Sequence, residues 1–168
     1  MARTFSDEAL KELKEEILPG YPDTQSALLT TLWLAEREFG VIDTDAIAAV
    51  AEALDLPKAH VWGVFSFYTL FRKEGQGRYI LDVCATLSCA LRGARDIVHH
   101  LEEKLGIKAG ETTPDGMFTL RKVECLADCD RAPMMQVNAC DLHRNLTNEK
   151  VDDLLERLRK DAEATATN

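Results

Sequence analysis

Arg78-Tyr79-Ile80-Leu81-Asp82-Val83-Cys84-Ala85-Thr86-Leu87-Ser88-Cys89 is the stretch on which the reading of this 168-residue chain turns. Tyr79 to Val83 is a short β-favouring run that stops at Cys84, and Cys89 follows after four residues. Downstream, Ala90 to Leu105 reads as a helix with Ile97, Val98, Leu101 and Leu105 on one side and Gly106 past its end. Thr113-Pro114-Asp115-Gly116 is a turn, after which Met117 to Val123 alternates like a strand. That second strand also runs into a cysteine pair, Cys125 and Cys129. Pro133 precedes a third run, Met134 to Asn138, and Thr147 opens a helix bearing Val151, Leu154, Leu155 and Leu158. The order β-α-β-β-α predicts helices packed on a small sheet. Ala162 to Asn168 lacks an apolar stripe and is expected to be a frayed, disordered tail.

Upstream the period is helical. Ser6 is placed to cap a first helix with Asp7 and Glu8 in its opening turn, and Pro19-Gly20 stops it. Thr24 is expected to cap a second helix carrying Leu28, Leu29, Leu32 and Phe39. Thr44 opens a third with Ile47, Val50, Ala51 and Leu54. Pro57 opens a fourth with Val61, Val64, Phe65 and Tyr68, in which Gly63 would permit close packing. Four short amphipathic helices make a small bundle. The charged, glycine-containing Arg72 to Gly77 is the expected boundary. The predicted organisation is thus α+β: a helical bundle over 1–75, an α/β domain over 76–161 and a tail over 162–168.

Composition limits the function. The chain has 20 basic and 29 acidic side chains, a net charge of −9, which argues against a nucleic-acid partner and against an anionic membrane surface. At 46% hydrophobic residues it can bury a core, and no run approaches the ~18 apolar residues that span a bilayer. The residues up to Pro22 have no apolar core of signal-peptide type. A soluble, cytoplasmic protein is the expectation. Residues 1–75 carry 7 basic and 13 acidic side chains and no cysteine, whereas 76–168 carry 13 and 16 and all five cysteines.

Five thiols are unusual in a reducing compartment, where disulfides are not expected. If both cysteine loops follow parallel strands, they lie at one end of the sheet, so four thiols converge although 35 residues separate the pairs. Four thiolates suit an iron–sulfur cluster or structural zinc. The spacing, four then three residues, is wider than the tight knuckles usual for zinc and favours the cluster, with zinc the competitor. A thioredoxin-type redox dithiol needs two intervening residues, which neither pair has. Glu124, Asp128 and Asp130 place acidic charge around the second pair, read first as a solvated rim, with Arg92 and Arg131 able to compensate. A helix starting after Cys89 would turn its positive end toward the sulfurs. Cys140 completes no pair and is expected to be a free thiol. The four histidines are assigned no ligand role.

Val83 to Cys89, Gly106 to Gly116, Val123 to Cys129 and Ala132 to Asn138 together resemble the thioredoxin-like [2Fe–2S] subunit (the E-type, or 24-kDa-type, component) of the NADH:quinone oxidoreductase (respiratory complex I) family. Val61 to Tyr68 resembles the last helix of that family's N-terminal helical domain, so the likeness covers roughly Ser6 to Leu158. The resemblance implies a thioredoxin-like ferredoxin domain with a [2Fe–2S] cluster on Cys84, Cys89, Cys125 and Cys129. It further implies electron exchange with the FMN of a partner subunit that also binds NADH, and attachment to the membrane, if any, through partner subunits. The chain has no G-x-G-x-x-G of its own for a nicotinamide. The equivalent subunit of a soluble NAD-linked formate dehydrogenase or hydrogenase is the alternative within the family, and a zinc-stabilised interaction module the alternative outside it. Two departures stand out. Ala127 replaces a usual glycine, which would strain the loop if φ there is positive. Ala139 to Thr147 also departs from the usual run, which bears on partner contacts rather than on the ligands.

Overall fold

The computed structural model describes residues 3–166. They form two compact units, one up to Glu74 and one from Gly75 onward.

In the first unit Ser6 caps α1 (Asp7–Glu12), accepting the Ala9 N–H at 3.2 Å. The helix does not end there: it widens into a π turn (Leu13–Ile17) and tightens into a 3-10 turn (Leu18–Gly20) at the expected Pro-Gly stop. α2 (Leu28–Phe39) closes at Gly40, whose φ of +74° supplies the left-handed residue that ends the helix. Thr24 is not its cap. Asp23 instead accepts the Ser26 N–H at 2.7 Å in a preceding turn, which delays the helix to Leu28. α3 (Thr44–Leu54) is capped by Asp43, bonded to the Ala46 N–H at 2.8 Å, and α4 (Lys58–Phe67) begins after Pro57. Leu13, Leu28, Leu32, Val50, Leu54, Val61 and Phe71 fill the common core. A Cβ on Gly63 would meet nothing within 4 Å, so no described residue makes the close packing expected there.

The second unit is a four-stranded mixed sheet in the order β2-β1-β3-β4, formed by β1 (Tyr79–Cys84), β2 (Phe118–Val123), β3 (Met135–Val137) and β4 (Asp141–His143). β1 and β2 are parallel; the other pairings are antiparallel. Leu81 and Val83 of β1, with Phe118, Leu120, Met135 and Val137, bury a face against α6 (Ala94–Leu105) and α7 (Asn148–Ala166). The other side of β1 carries Ile80, Asp82 and Cys84, since successive residues alternate. Asp82, 3% exposed, takes both oxygens to Arg121, its register partner on β2, at 2.6 Å each. Gly77 marks a close approach, because a Cβ there would lie 2.8 Å from the Phe118 backbone, and its N–H reaches Thr119 Oγ1 at 2.6 Å.

Three expectations are corrected here. The stretch predicted as one helix over Ala90–Leu105 is two: a short α5 (Leu87–Leu91), then α6, broken by Gly93 at φ +95°. β4 adds a strand to the predicted order; at three residues, one exposed and two half-buried, it is too short to give an alternation to read. α7 runs to Ala166 through the stretch expected to fray, because Ala162 is still buried. Thr167 and Asn168 lie outside the described residues.

Candidate metal centre

The parallel pairing of β1 and β2, with Cys84 opposite Val123, brings both cysteine loops out at the same end of the sheet. Cys84 is the last residue of β1 and Cys89 sits inside α5; both are buried. Cys125 and Cys129 lie in the loop after β2, with Cys129 opening a 3-10 turn, and both are exposed. The two loops interlock through hydroxyls. Thr86 Oγ1 lies 3.2 Å from Cys84 Sγ, and Thr86 acts to lower the pKa of Cys125 and Ser88 that of Cys129. Cys125 and Cys129 approach to 3.4 Å between sulfurs, and Cys84 and Cys89 shift each other's ionisation in opposite directions. Among the described residues no three His, Cys, Asp or Glu side chains are grouped to hold a single ion; the thiols are gathered two by two.

Each pair splits its acidity. Burial opposes ionisation of Cys84, but donation from the Thr86 hydroxyl and N–H, from Cys89 and from the Leu126 N–H outweighs it, and the pKa falls. Burial first, then the bond to Cys84, pushes Cys89 up to about 11. The Ala127 N–H, 3.3 Å from Cys125 Sγ, leads in lowering that thiol, whereas the bond to Cys125 and its charge raise Cys129. Backbone N–H groups aimed at sulfur favour a negative ligand. Ala127 does hold positive φ, +64°, to point its N–H that way, as its replacement of glycine suggested.

The acidic rim is more structured than a solvated one. Asp128 is bound by Arg144 at the end of β4, with Arg131 4.0 Å away, and the Arg144 contact lowers its pKa. Arg131 also reaches Asp130 at 3.6 Å. Arg144 escaped the sequence reading because only the unpredicted β4 carries it back over the second cysteine loop. The helix expected to begin after Cys89 instead contains it, and α5 is too short to present a helix dipole. Cys140 is exposed in the β3–β4 turn, outside both pairs.

The model of the thioredoxin-like [2Fe-2S] ferredoxin family matches residues 14–159. The chain belongs to that family. Its curated relatives include the second E-type subunit of the NADH-quinone oxidoreductase of Rhizobium meliloti, 43% identical over 150 residues and 89% of each chain. The E-type subunit of the same oxidoreductase from Rickettsia conorii is 40% identical over 161 residues, covering 94% of this chain and 95% of the relative. Among solved structures, the fold matches a chain of the NAD+-reducing [NiFe]-hydrogenase in its air-oxidised state, with a TM-score of 0.71 and 24% identity over 80% of this chain and 23% of that one. As a thioredoxin-like [2Fe–2S] ferredoxin similar to these E-type subunits, the chain is a component of the oxidoreductase class, and its resident cofactor is a [2Fe–2S] cluster. The donor set fits that group: four soft sulfurs in two pairs, with N–H and O–H donors turned onto them. No helix among the described residues is long and apolar enough to cross a membrane.

Proposed function

We propose that Cys84, Cys89, Cys125 and Cys129 hold the [2Fe–2S] cluster and that the chain is an electron-transfer subunit, trading electrons with the FMN of an NADH-binding partner in an NADH:quinone oxidoreductase. The single observation that carries the ligand assignment is the exit of both cysteine loops at one end of the parallel β1–β2 pair, with the Cys125 and Cys129 sulfurs 3.4 Å apart. When bound, such a cluster supplies reversible one-electron transfer. The chain's own residues do the rest. Cys84 and Cys89 anchor one side inside the domain, while exposed Cys125 and Cys129 leave the other side near the surface, where a partner can approach. The N–H groups of Ala127, Leu126 and Met134 offset negative charge on sulfur, and Arg144 and Arg131 keep the Asp128 carboxylate paired. No general acid, base or nucleophile is required. The helical unit of residues 1–75 and the thioredoxin-like unit of 76–161 serve as attachment and carrier, and any membrane association runs through partner subunits. The curated relatives' names support a quinone-reducing complex over a soluble hydrogenase or formate dehydrogenase.

Anaerobically purified protein tests the assignment. Two irons and two acid-labile sulfides per chain are expected, with a visible absorption band and an EPR signal on reduction. Cys140→Ser should keep all of these, and Cys89→Ser should lose them. One zinc with no labile sulfide would replace this reading with that of a zinc-stabilised module. Copurification with a flavoprotein identifies the parent complex.

A further inference from the structure

We propose that the cleft between α6, the first cysteine loop and the carboxyl end of β2 seats a segment of the flavoprotein partner that carries a carboxylate beside a large apolar side chain. This deepens the electron-transfer reading and rests on it. The cleft measures about 330 Å³ and is floored by Ala85, Ala90, Ala94 and Val98, all small or apolar, with Arg95 and Lys122 on its rim. Small side chains leave the volume open, and the floor gives an aliphatic or aromatic group something to bury against.

The charge at the rim runs against that of the chain. Although the net charge is −9, neither Arg95 nor Lys122 has an ion-pair partner within bonding distance among the described residues. The one carboxylate lining the cleft, Glu102, is already engaged: Oε2 accepts from Lys108 Nζ at 2.9 Å and Oε1 from the Ala109 N–H at 3.0 Å. His99, also at the rim, lies 3.3 Å from Glu103. Arg95 is therefore left for an incoming carboxylate, with Lys122, whose charge reaches Glu102 without bonding it, beside it. The apolar character continues onto α5, where Leu87 and Leu91, four residues apart, are 75% and 78% exposed. Ala85, in the cleft floor, directly follows Cys84. A partner segment seated here would cover the leucines and lie against the loop of the first cysteine pair.

The test is size-exclusion coelution of the cluster-loaded chain with its flavoprotein, for the native protein, for Arg95→Glu with Lys122→Glu, for Leu91→Asp, and for Lys160→Glu as a charge control at an exposed position of α7. The native chain and the control should coelute equally. The double reversal should weaken association by about tenfold or more, and Leu91→Asp should weaken it as well, both with unchanged cluster absorption. Native binding should also fall with added salt. Coelution of the double reversal at native affinity would overturn the cleft assignment and leave the electron-transfer reading standing. So would a native homodimer that the same reversal dissociates, since a second copy would then occupy the seat. A cluster-loaded native chain that binds no flavoprotein would overturn both.

Discussion

Ala127 pays a local conformational cost that its neighbours recover. At φ +64° its Cβ crowds the backbone, which costs an L-residue on the order of 1 kcal/mol, yet the same turn aims its N–H at Cys125 Sγ. Ala127→Gly is therefore expected to raise stability by about 0.5–1 kcal/mol, less whatever entropy the glycine restores to the unfolded chain, and to leave the cluster spectrum unchanged. A thermal melt followed by loss of visible absorbance measures both; a lowered midpoint would show that alanine is not strained there. Asp82 poses the opposite case. Its carboxylate is buried on the same side of β1 as Cys84 and depends on Arg121. Arg121→Met leaves that charge without its partner and should cost about 3–5 kcal/mol, whereas the double variant Asp82→Leu with Arg121→Met should recover most of it. Denaturant titration of the three proteins gives the comparison. A double variant as unstable as the single one would mean that the pair is needed for more than charge balance.

At the level of elements, the helix caps show how a single side chain sets a boundary. Asp43 accepts the Ala46 N–H at 2.8 Å and pairs with Arg3 at 2.7 Å. Burial works against its ionisation, but these contacts outweigh it and hold its pKa below the ordinary carboxylate value. Because the folded pKa is the depressed one, the contribution is complete above about pH 4, near the unfolded value, and fades as pH falls further toward the folded pKa. Asp43→Ala should cost about 1 kcal/mol at pH 7, and the difference from the native protein should shrink below pH 4; equal losses at pH 7 and pH 3 would contradict this. The same elements show what the sequence makes legible. Ser6 announces α1 because its cap is local, and Gly40 ends α2 because only the left-handed region was needed. The two cysteine pairs stand out because their spacing is short and each follows a β-rich run. Gly93 was hidden because the apolar stripe of α6 begins at Ala94 in phase with Ala90, so one helix and two give the same pattern. β4 and the Arg144–Asp128 pair were hidden for a tertiary reason: three residues make a strand only when β3 lies beside them.

Across the whole molecule, each hydrophobic core is drawn from one unit. The core around Leu32, Val50 and Phe71 uses residues 5–71, and that around Leu81, Leu101 and Leu120 uses residues 81–158. All four paired cysteines belong to the second unit. A cluster bound to those thiols stabilises only the unit that holds them, since ligand binding raises the stability of the state that binds. Calorimetry of the cluster-loaded protein should therefore resolve two transitions, with visible absorbance lost in only one of them. Leu32, fully buried, decides which is which. Leu32→Ala removes packing from the first core at a cost of about 2–5 kcal/mol and should lower the transition that has no colour change, leaving the midpoint of bleaching where it was. Stripping the cluster should do the reverse. A single transition, with bleaching that moves in step with Leu32→Ala, would show that the helical unit and the cluster domain unfold as one cooperative body, and the cysteines would then draw stability from residues that share neither their sheet nor their core.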